Sequence, residues 1–404
     1  MRTTLLKATL SLSFVAAAVS GCSGGGTTGT VDKPENSAFR EGLAPTVRDG
    51  DKLALVDQKA DYLMALRSAA IKLTGNYPTL AEIKRVQGAQ DQAAEYNAII
   101  DDYMKRPTFT AQMMQFWRDT FKMGFTNSVT VGGQALTVNM ESAPAFAAQL
   151  VVQGKPFTAI VTGETNTCPT YNATTMALAD GSCATNPTVG VLTDPGVMSQ
   201  FTSSMAFRRT RWVQETFICS AFPAEWSETK VQYPGGTFAS PWPITSISGQ
   251  LVQGNKGRVD FHDTAAVICA NCHTTINHIA PLLAYNDLAG RRQATIQVTT
   301  PVSGAPFSTM DDWLPPGEKL SWRFGKPTPD LKSLGAAIAA DPDMARCMTT
   351  RIWNWAMSRG DVVVDKTALT DATAAQLVQG LTGNNWNMKQ LIRDVYTGPT
   401  FVRF

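Results

Sequence analysis

Cys269-Ala270-Asn271-Cys272-His273 constrains this chain more than any other stretch of its 404 residues. Two thiols three positions apart stand on one turn of a helix, with an imidazole directly after them. That spacing lets each sulfur form a thioether with one vinyl group of a haem, while His273 ligates the iron as the proximal ligand. The segment therefore predicts a helix and one covalent haem c, held by Cys269, Cys272 and His273. Two other chemistries use the same residues. A tetrahedral zinc site needs a second ligand pair, for which only His262 and His278 are available. A disulfide or redox dithiol needs no partner, but thioredoxin-like dithiols open a helix after a strand, and no such βαβ unit is read here.

Haem c is assembled outside the cytoplasm, and the N-terminus carries the matching address. Arg2 and Lys7 begin the chain, residues 8–19 are apolar and small, and Val19-Ser20-Gly21-Cys22 closes the segment. The run is too short to span a bilayer and reads as a cleaved export signal, residues 1–21. Its end resembles a bacterial lipobox, in which Cys22 is acylated and becomes the mature N-terminus. Cleavage by an ordinary signal peptidase, with Cys22 incidental, is the alternative. Ser23, with no acid after Cys22, points to outer-membrane sorting. The expected location is the bacterial cell envelope, lipid-anchored, periplasmic or at the outer membrane.

Charge removes one class of partner. Without residues 1–21 the chain loses two bases and no acid, leaving 33 basic and 33 acidic residues. No Lys/Arg cluster supplies the footprint that phosphate binding needs, so nucleic acid is not an expected partner. The 44% hydrophobic content allows a large core. With Cys22, Cys269 and Cys272 assigned, four of the seven cysteines remain. An even remainder in an oxidising compartment suggests two disulfides, for which three pairings exist. Cys168 with Cys183 closes a loop rich in Thr, Asn, Ala and Gly, and Cys219 with Cys347 follows by elimination. Four buried free thiols are the alternative.

Along the chain, residues 22–49 read as a flexible tether and 50–165 as a helical domain. A long apolar face from Leu53 to Ile71 is broken at Asn76-Tyr77-Pro78-Thr79, and Thr79-Leu80-Ala81-Glu82 has capping-box spacing. Helices are expected at about 90–105, 108–124 and 141–153, with Met113, Met114, Phe116, Trp117 and Phe121 as core. Residues 128–138 read as a hairpin turning at Gly132-Gly133. A disulfide loop (166–200) and a haem-binding domain (201–330) follow. The latter contains a helix at 204–219, a Pro/Gly/Ser/Thr-rich loop at 232–256, the motif helix opening near Ala265, and a strand at Thr295–Thr299. A C-terminal helical domain (331–404) has helices at about 331–340, 343–358, 370–382 and 386–396. The fold class is mainly α, with a small β-hairpin and long loops.

The stretch from His273 to Arg291, with Asp287 and Gly290-Arg291 at matching offsets, resembles the haem segment of the planctomycete-type cytochrome c proteins, large exported bacterial proteins of unknown function. Val189-Gly190-Val191-Leu192-Thr193 and Arg208-Arg209-Thr210-Arg211-Trp212-Val213, leading to Cys219, look like that family's Gly-Ile-Leu-Thr and Arg-Gly-x-Trp-Val segments. Cys347 and Trp355-Ala356-Met357-Ser358-Arg359 look like its C-terminal Cys and Tyr-Ala-Leu-Gly-Arg. Gly75-Asn76-Tyr77-Pro78-Thr79 falls in a stretch like its N-terminal helical domain. The sequence departs from the pattern after the haem histidine: Asn277-His278 stands for Asp-Pro, and Ala280-Pro281 for Gly-Phe. The resemblance implies haem binding and export, and no substrate.

The sixth iron ligand decides between electron transfer and small-molecule chemistry. Candidates are His262, seven residues before Cys269; Met310, placed where small cytochromes carry a distal Met; and Met344, Met348 or Met357. An open position is a further choice. His278 is expected to stay on the proximal side or to cap a turn. Arg291 and Arg292 are candidates for the haem propionates, or else a solvated pair ending a helix. Trp313 and Trp322 wall the pocket or are plain core. The leading expectation is a lipoprotein that passes single electrons to or from a redox partner protein in the envelope, its helical N-terminal domain docking a partner or an extracellular substrate. The alternatives are a haem-dependent oxidoreductase or peroxidase-like enzyme with an open iron position, and a structural envelope lipoprotein.

Overall fold

A computed structural model describes residues 59–124, 126–131, 133–183, 185–202, 206–221, 232–233, 236–237, 267–296, 313–314, 319–363, 369 and 371–403. Of the sequence expectations, the export signal, Cys22, the tether, the first turns of the Leu53–Ile71 face, His262 and Met310 fall outside these residues.

Local capping chemistry sets the first helices. In α1 (Tyr62–Thr74) the Asp61 carboxylate accepts from the amides of Leu63 and Met64 at 3.0 and 2.9 Å, and Gly75 ends the helix at φ +71°. The expected capping box opens α2 (Leu80–Gly88): the Glu82 amide donates to Thr79 Oγ1 at 3.2 Å, and the Thr79 amide to Glu82 Oε2 at 2.7 Å. Asp91 caps α3 (Gln92–Tyr103), and Pro107 takes the first position of α4 (Pro107–Phe121), where a missing N–H costs nothing. The Ala65, Ala69 and Ala70 side of α1 is small enough to pack closely on both α3 and α4.

Core residues on α4 are those that the spacing picks out. Met113, Met114, Trp117 and Phe121 are fully buried, and the Trp117 ring stacks on Phe157 at 4.9 Å between centroids. Strands β1 (Thr126–Val131) and β2 (Gln134–Asn139) form the expected antiparallel hairpin, with Val131 opposite Gln134 across the Gly-Gly turn. Next comes α5 (Ser142–Val152), buried on nearly every side and packed on α4, then the single turn α6 (Ala159–Thr162).

The predicted disulfide loop holds more structure than its composition suggests. Cys168 is bonded to Cys183 with Cα atoms 5.1 Å apart. Between them run β3 (Thr170–Asn172) and β4 (Ala177–Ala179), and α7 (Pro195–Gln200) closes the segment. Helix α8 (Phe207–Phe217) precedes Cys219, which is bonded to Cys347 as expected, with Cα atoms 5.3 Å apart. The two-residue strands β5 (Gln232–Tyr233) and β6 (Gly236–Thr237) pair within the segment expected to be loop. Helix α9 (Val267–Ala284) contains the Cys-x-x-Cys-His motif. Thr295 and Ile296 are not in a strand, and the rest of that expected strand lies outside the described residues. Among the described residues of this region, β7 (Ser321–Trp322) pairs with β8 (Lys326–Pro327).

The C-terminal helices match their expected spans: α10 (Leu331–Ala339), α11 (Pro342–Ala356), α12 (Asp371–Gly383) and α13 (Met388–Thr397), with a last turn α14 (Pro399–Val402). They pack back on the start of the chain. Helix α13 lies against α3 and α5, and α14 against α1. The Asp61 amide donates to the Val402 carbonyl at 2.8 Å, and the Tyr96 hydroxyl to the Tyr396 carbonyl at 2.8 Å. One hydrophobic cluster therefore runs from Ala65 through α8 and α9 to Val402. The architecture is mainly helical, with small antiparallel hairpins.

Candidate functional site

Helical phase arranges the motif. At about 100° per residue, Cys269, Cys272 and His273 share one face of α9, within an arc of about 100°. Ile276 and Ala280 continue that stripe and are buried, at 7% and 0% exposure. His278 stands about 140° around the axis from His273. It is buried, and it lies in the body of the helix. Pro281 also lies within α9 and removes one amide donor from its last turns.

The end of α9 is held by a residue whose role the sequence reading missed. Arg209, 2% exposed on α8, donates through Nη1 to the Leu283 and Asn286 carbonyls at 2.8 and 2.9 Å, and through Nη2 to the Asp287 carbonyl at 3.2 Å. Its Nε and Nη2 also reach the Met198 carbonyl at the end of α7, at 2.9 and 2.7 Å. One guanidinium thus satisfies carbonyls at two helix ends, where the peptide dipoles favour a cation. Burial lowers its pKa to about 10, against the opposing pull of Asp287, so it remains charged at neutral pH. A signal was present: Arg209 falls in phase with the buried Val213 and Thr216, on the face where a charge has to be satisfied.

Asp287 organises the loop that follows. Its Oδ1 accepts from the amides of Ala289 and Arg291, both at 2.9 Å, and its Oδ2 from Arg291 Nε at 2.9 Å and Gln293 Nε2 at 3.0 Å. Gly290, at φ +74°, lies against the Pro195 backbone in the space a Cβ would need. The spaced Asp287, Gly290 and Arg291 are therefore a clip joining the end of α9 to α7. Arg291 keeps a half-exposed side chain but commits its guanidinium to Asp287. Arg292 is half-buried, donating to the Leu282 carbonyl at 3.2 Å with its guanidinium 4.8 Å from the Tyr285 ring centre.

Around α9 stand α8 and β7. Trp322 of β7 is buried and donates to Asp341 Oδ2 at 2.8 Å, while Trp313 is fully buried. Met344 and Met348 are core residues of α11. The segments singled out in α8 and at the end of α11 converge: Arg211 and Trp212 line one groove of about 210 Å³, Trp355 and Arg359 an adjoining one of about 240 Å³, with Arg351 and Asp361 common to both.

Beneath the Asp287 loop, Asp194 is fully buried and caps α7, accepting from the Val197 amide at 2.9 Å. Burial raises its pKa to about 6, opposed by hydrogen bonds from Ser142 and the Val197 and Gly196 amides. Its Oδ2 lies 3.5 Å from Cys168 Sγ. Cys168, Cys183 and Asp194 are close enough to form a metal-ligand set, but the disulfide removes the thiolates a metal would need.

The four cysteines other than Cys22, Cys269 and Cys272 are paired with each other in disulfides, which leaves Cys269 and Cys272 of α9 outside those pairs. In the comparisons, residues 51–218 match a family model described as "PSCyt2: Protein of unknown function (DUF1549)", a planctomycete-type family. No curated protein and no solved structure matches the chain.

Proposed function

We propose that the protein is an exported c-type cytochrome lipoprotein carrying one covalent haem, and that it transfers electrons at the cell envelope. The observation that carries this reading is the single helical stripe of Cys269, Cys272 and His273, on a helix whose end is fixed by Arg209 and Asp287. Cys269 and Cys272 are the attachment thiols, and His273 is the proximal ligand. When bound, haem c supplies a one-electron couple tuned by its axial ligands, burial and hydrogen bonding. Arg209 and Asp287 tie down the end of α9, and Arg209 places a buried positive charge there. His262 and Met310 remain the leading sixth-ligand choices. Cys22 is the acylation site, and the partner is a redox protein of the envelope.

A pyridine haemochrome spectrum tests the reading, taken on protein matured in a periplasm with a working cytochrome c assembly system, beside Cys272→Ser. A c-type band in the parent that shifts or disappears in the variant is the expected result. Absence of haem from correctly exported protein would sink the proposal and leave Cys269 and Cys272 as a disulfide or a metal site.

A further inference from the structure

Large apolar side chains left in water are few among the described residues, and five of the six lie between positions 63 and 80. Leu63, Met64 and Ile71 are 36%, 45% and 40% exposed, and Tyr77 and Leu80 are 68% and 66% exposed. On α1 the first three fall within an arc of about 100°, opposite the buried Ala65–Leu73 face. Arg67 stands within that arc with its guanidinium 5.4 Å from the Tyr77 ring centre, which joins the stripe to the start of α2. Lys84, one turn after Leu80, extends it.

The charge around this patch has one sign. Residues 59–84 carry Lys59, Arg67, Lys72 and Lys84 against Asp61 and Glu82. Both acids are spent: Asp61 caps α1, and Glu82 is buried, bonded to Thr79, Tyr103 and Arg106. Aliphatic side chains edged by a tyrosine and by long basic side chains match a bilayer interface. The apolar groups enter the acyl boundary there, while Lys and Arg reach back to phosphates.

We infer that this face of α1 and α2 docks on an anionic bilayer surface. The inference rests on the lipid-anchor reading for its context. Cys22 and Lys59 are 37 positions apart, a span of at most about 130 Å. The anchor confines the patch to within that span of the membrane, so weak contact suffices to orient it. No described helix is long and apolar enough to cross a membrane, which makes this a surface contact. Docking there turns α8, α9 and the Asp287 loop into a fixed orientation relative to the bilayer, available to a partner on the same surface.

The test uses the chain beginning at Ser23, secreted behind an ordinary cleavable leader so that no acyl group contributes. It is sedimented with vesicles of phosphatidylethanolamine and phosphatidylglycerol, beside phosphatidylcholine vesicles. The expected result is binding to the anionic vesicles only, weakened at least ten-fold by Tyr77→Glu with Leu80→Glu and also by 0.5 M salt. Both side chains are more than half exposed, so the circular dichroism of the double variant should match the parent. No binding by the parent, or equal binding by the variant, overturns the inference. So does a dimer of the parent that the same variant dissolves, which would assign the face to a second copy. Mass spectrometry of the native N-terminal peptide tests the anchor separately. Vesicle binding without an acyl chain on Cys22 refutes the anchor alone, whereas acylated Cys22 with no vesicle binding by the Ser23 chain refutes the docking alone.

Discussion

Replacing Arg209 by Met keeps most of the side-chain volume and removes the cation that five hydrogen bonds share among the carbonyls of Met198, Leu283, Asn286 and Asp287. Each hydrogen bond to a charged donor contributes about 1.5–3 kcal/mol, and a buried carbonyl left unpaired costs about 1–3 kcal/mol. The sum overshoots, because folding no longer has to desolvate a guanidinium, a recovery of several kcal/mol. The net loss expected for removing one partner of a buried charged network is about 3–5 kcal/mol. Arg209→Lys should fall between, since one ammonium has three donors and cannot span both helix ends. The assay is urea unfolding with disulfides intact, followed by far-UV circular dichroism. Arg208→Met serves as control: Arg208 is exposed on the same helix, and its loss should cost well under half as much as that of Arg209. If Arg209→Met costs less than about 1 kcal/mol, the guanidinium does not hold the end of α9 and the clamp is wrong.

Asp194 should make stability fall as pH rises. Its folded pKa of about 6 lies above the ordinary 3.8, so its contribution is full below about pH 4 and is lost through pH 6. The difference corresponds to about 3 kcal/mol. Asp194→Asn, which can still cap α7, should flatten that part of the curve and gain on the parent between pH 4 and 7; parallel curves would refute the assignment. Gly290→Ala should destabilise by at least about 2 kcal/mol, from positive-φ strain and contact with the Pro195 backbone, read as a lower urea midpoint. Opening Cys219–Cys347, which spans 128 positions, should cost about 5 kcal/mol, whereas opening Cys168–Cys183, spanning 15, should cost about 3 kcal/mol. Paired Cys→Ser variants compared in urea would show this, and the reverse order would count against loop closure as the source.

Strong local rules made most elements legible. The Thr79/Glu82 box, the Gly-Gly hairpin and the apolar spacing of α4 and α11 each specify their structure within a dozen residues. The two disulfides were legible through cysteine parity. Helix α7 was not read, although Asp194-Pro195 is a cap followed by a first-turn proline. Six residues give too little periodicity, and the helix is fixed by Gly290, about ninety positions away in sequence. Arg209 escaped for the same reason: its partners are main-chain carbonyls, three of the four more than seventy positions ahead, which leave no trace in composition. Strand Ser321–Trp322 was missed because two-residue pairings carry no alternation to detect. Of the proposed site, the sequence spacing alone puts Cys269, Cys272 and His273 together, whereas the contacts of Arg209 and Asp287 that hold the end of α9 were not read from it.

The clasp between Asp61 and Val402 has a consequence for biogenesis. Helix α1 finds its α14 neighbour, and Asp61 its Val402 partner, only after residue 402 has emerged, so that contact cannot form while the rest of the chain is still in transit. If the chain is exported as proposed, this contact closes only after the last residues have crossed the membrane, and Cys269 and Cys272 reach the new compartment before it does.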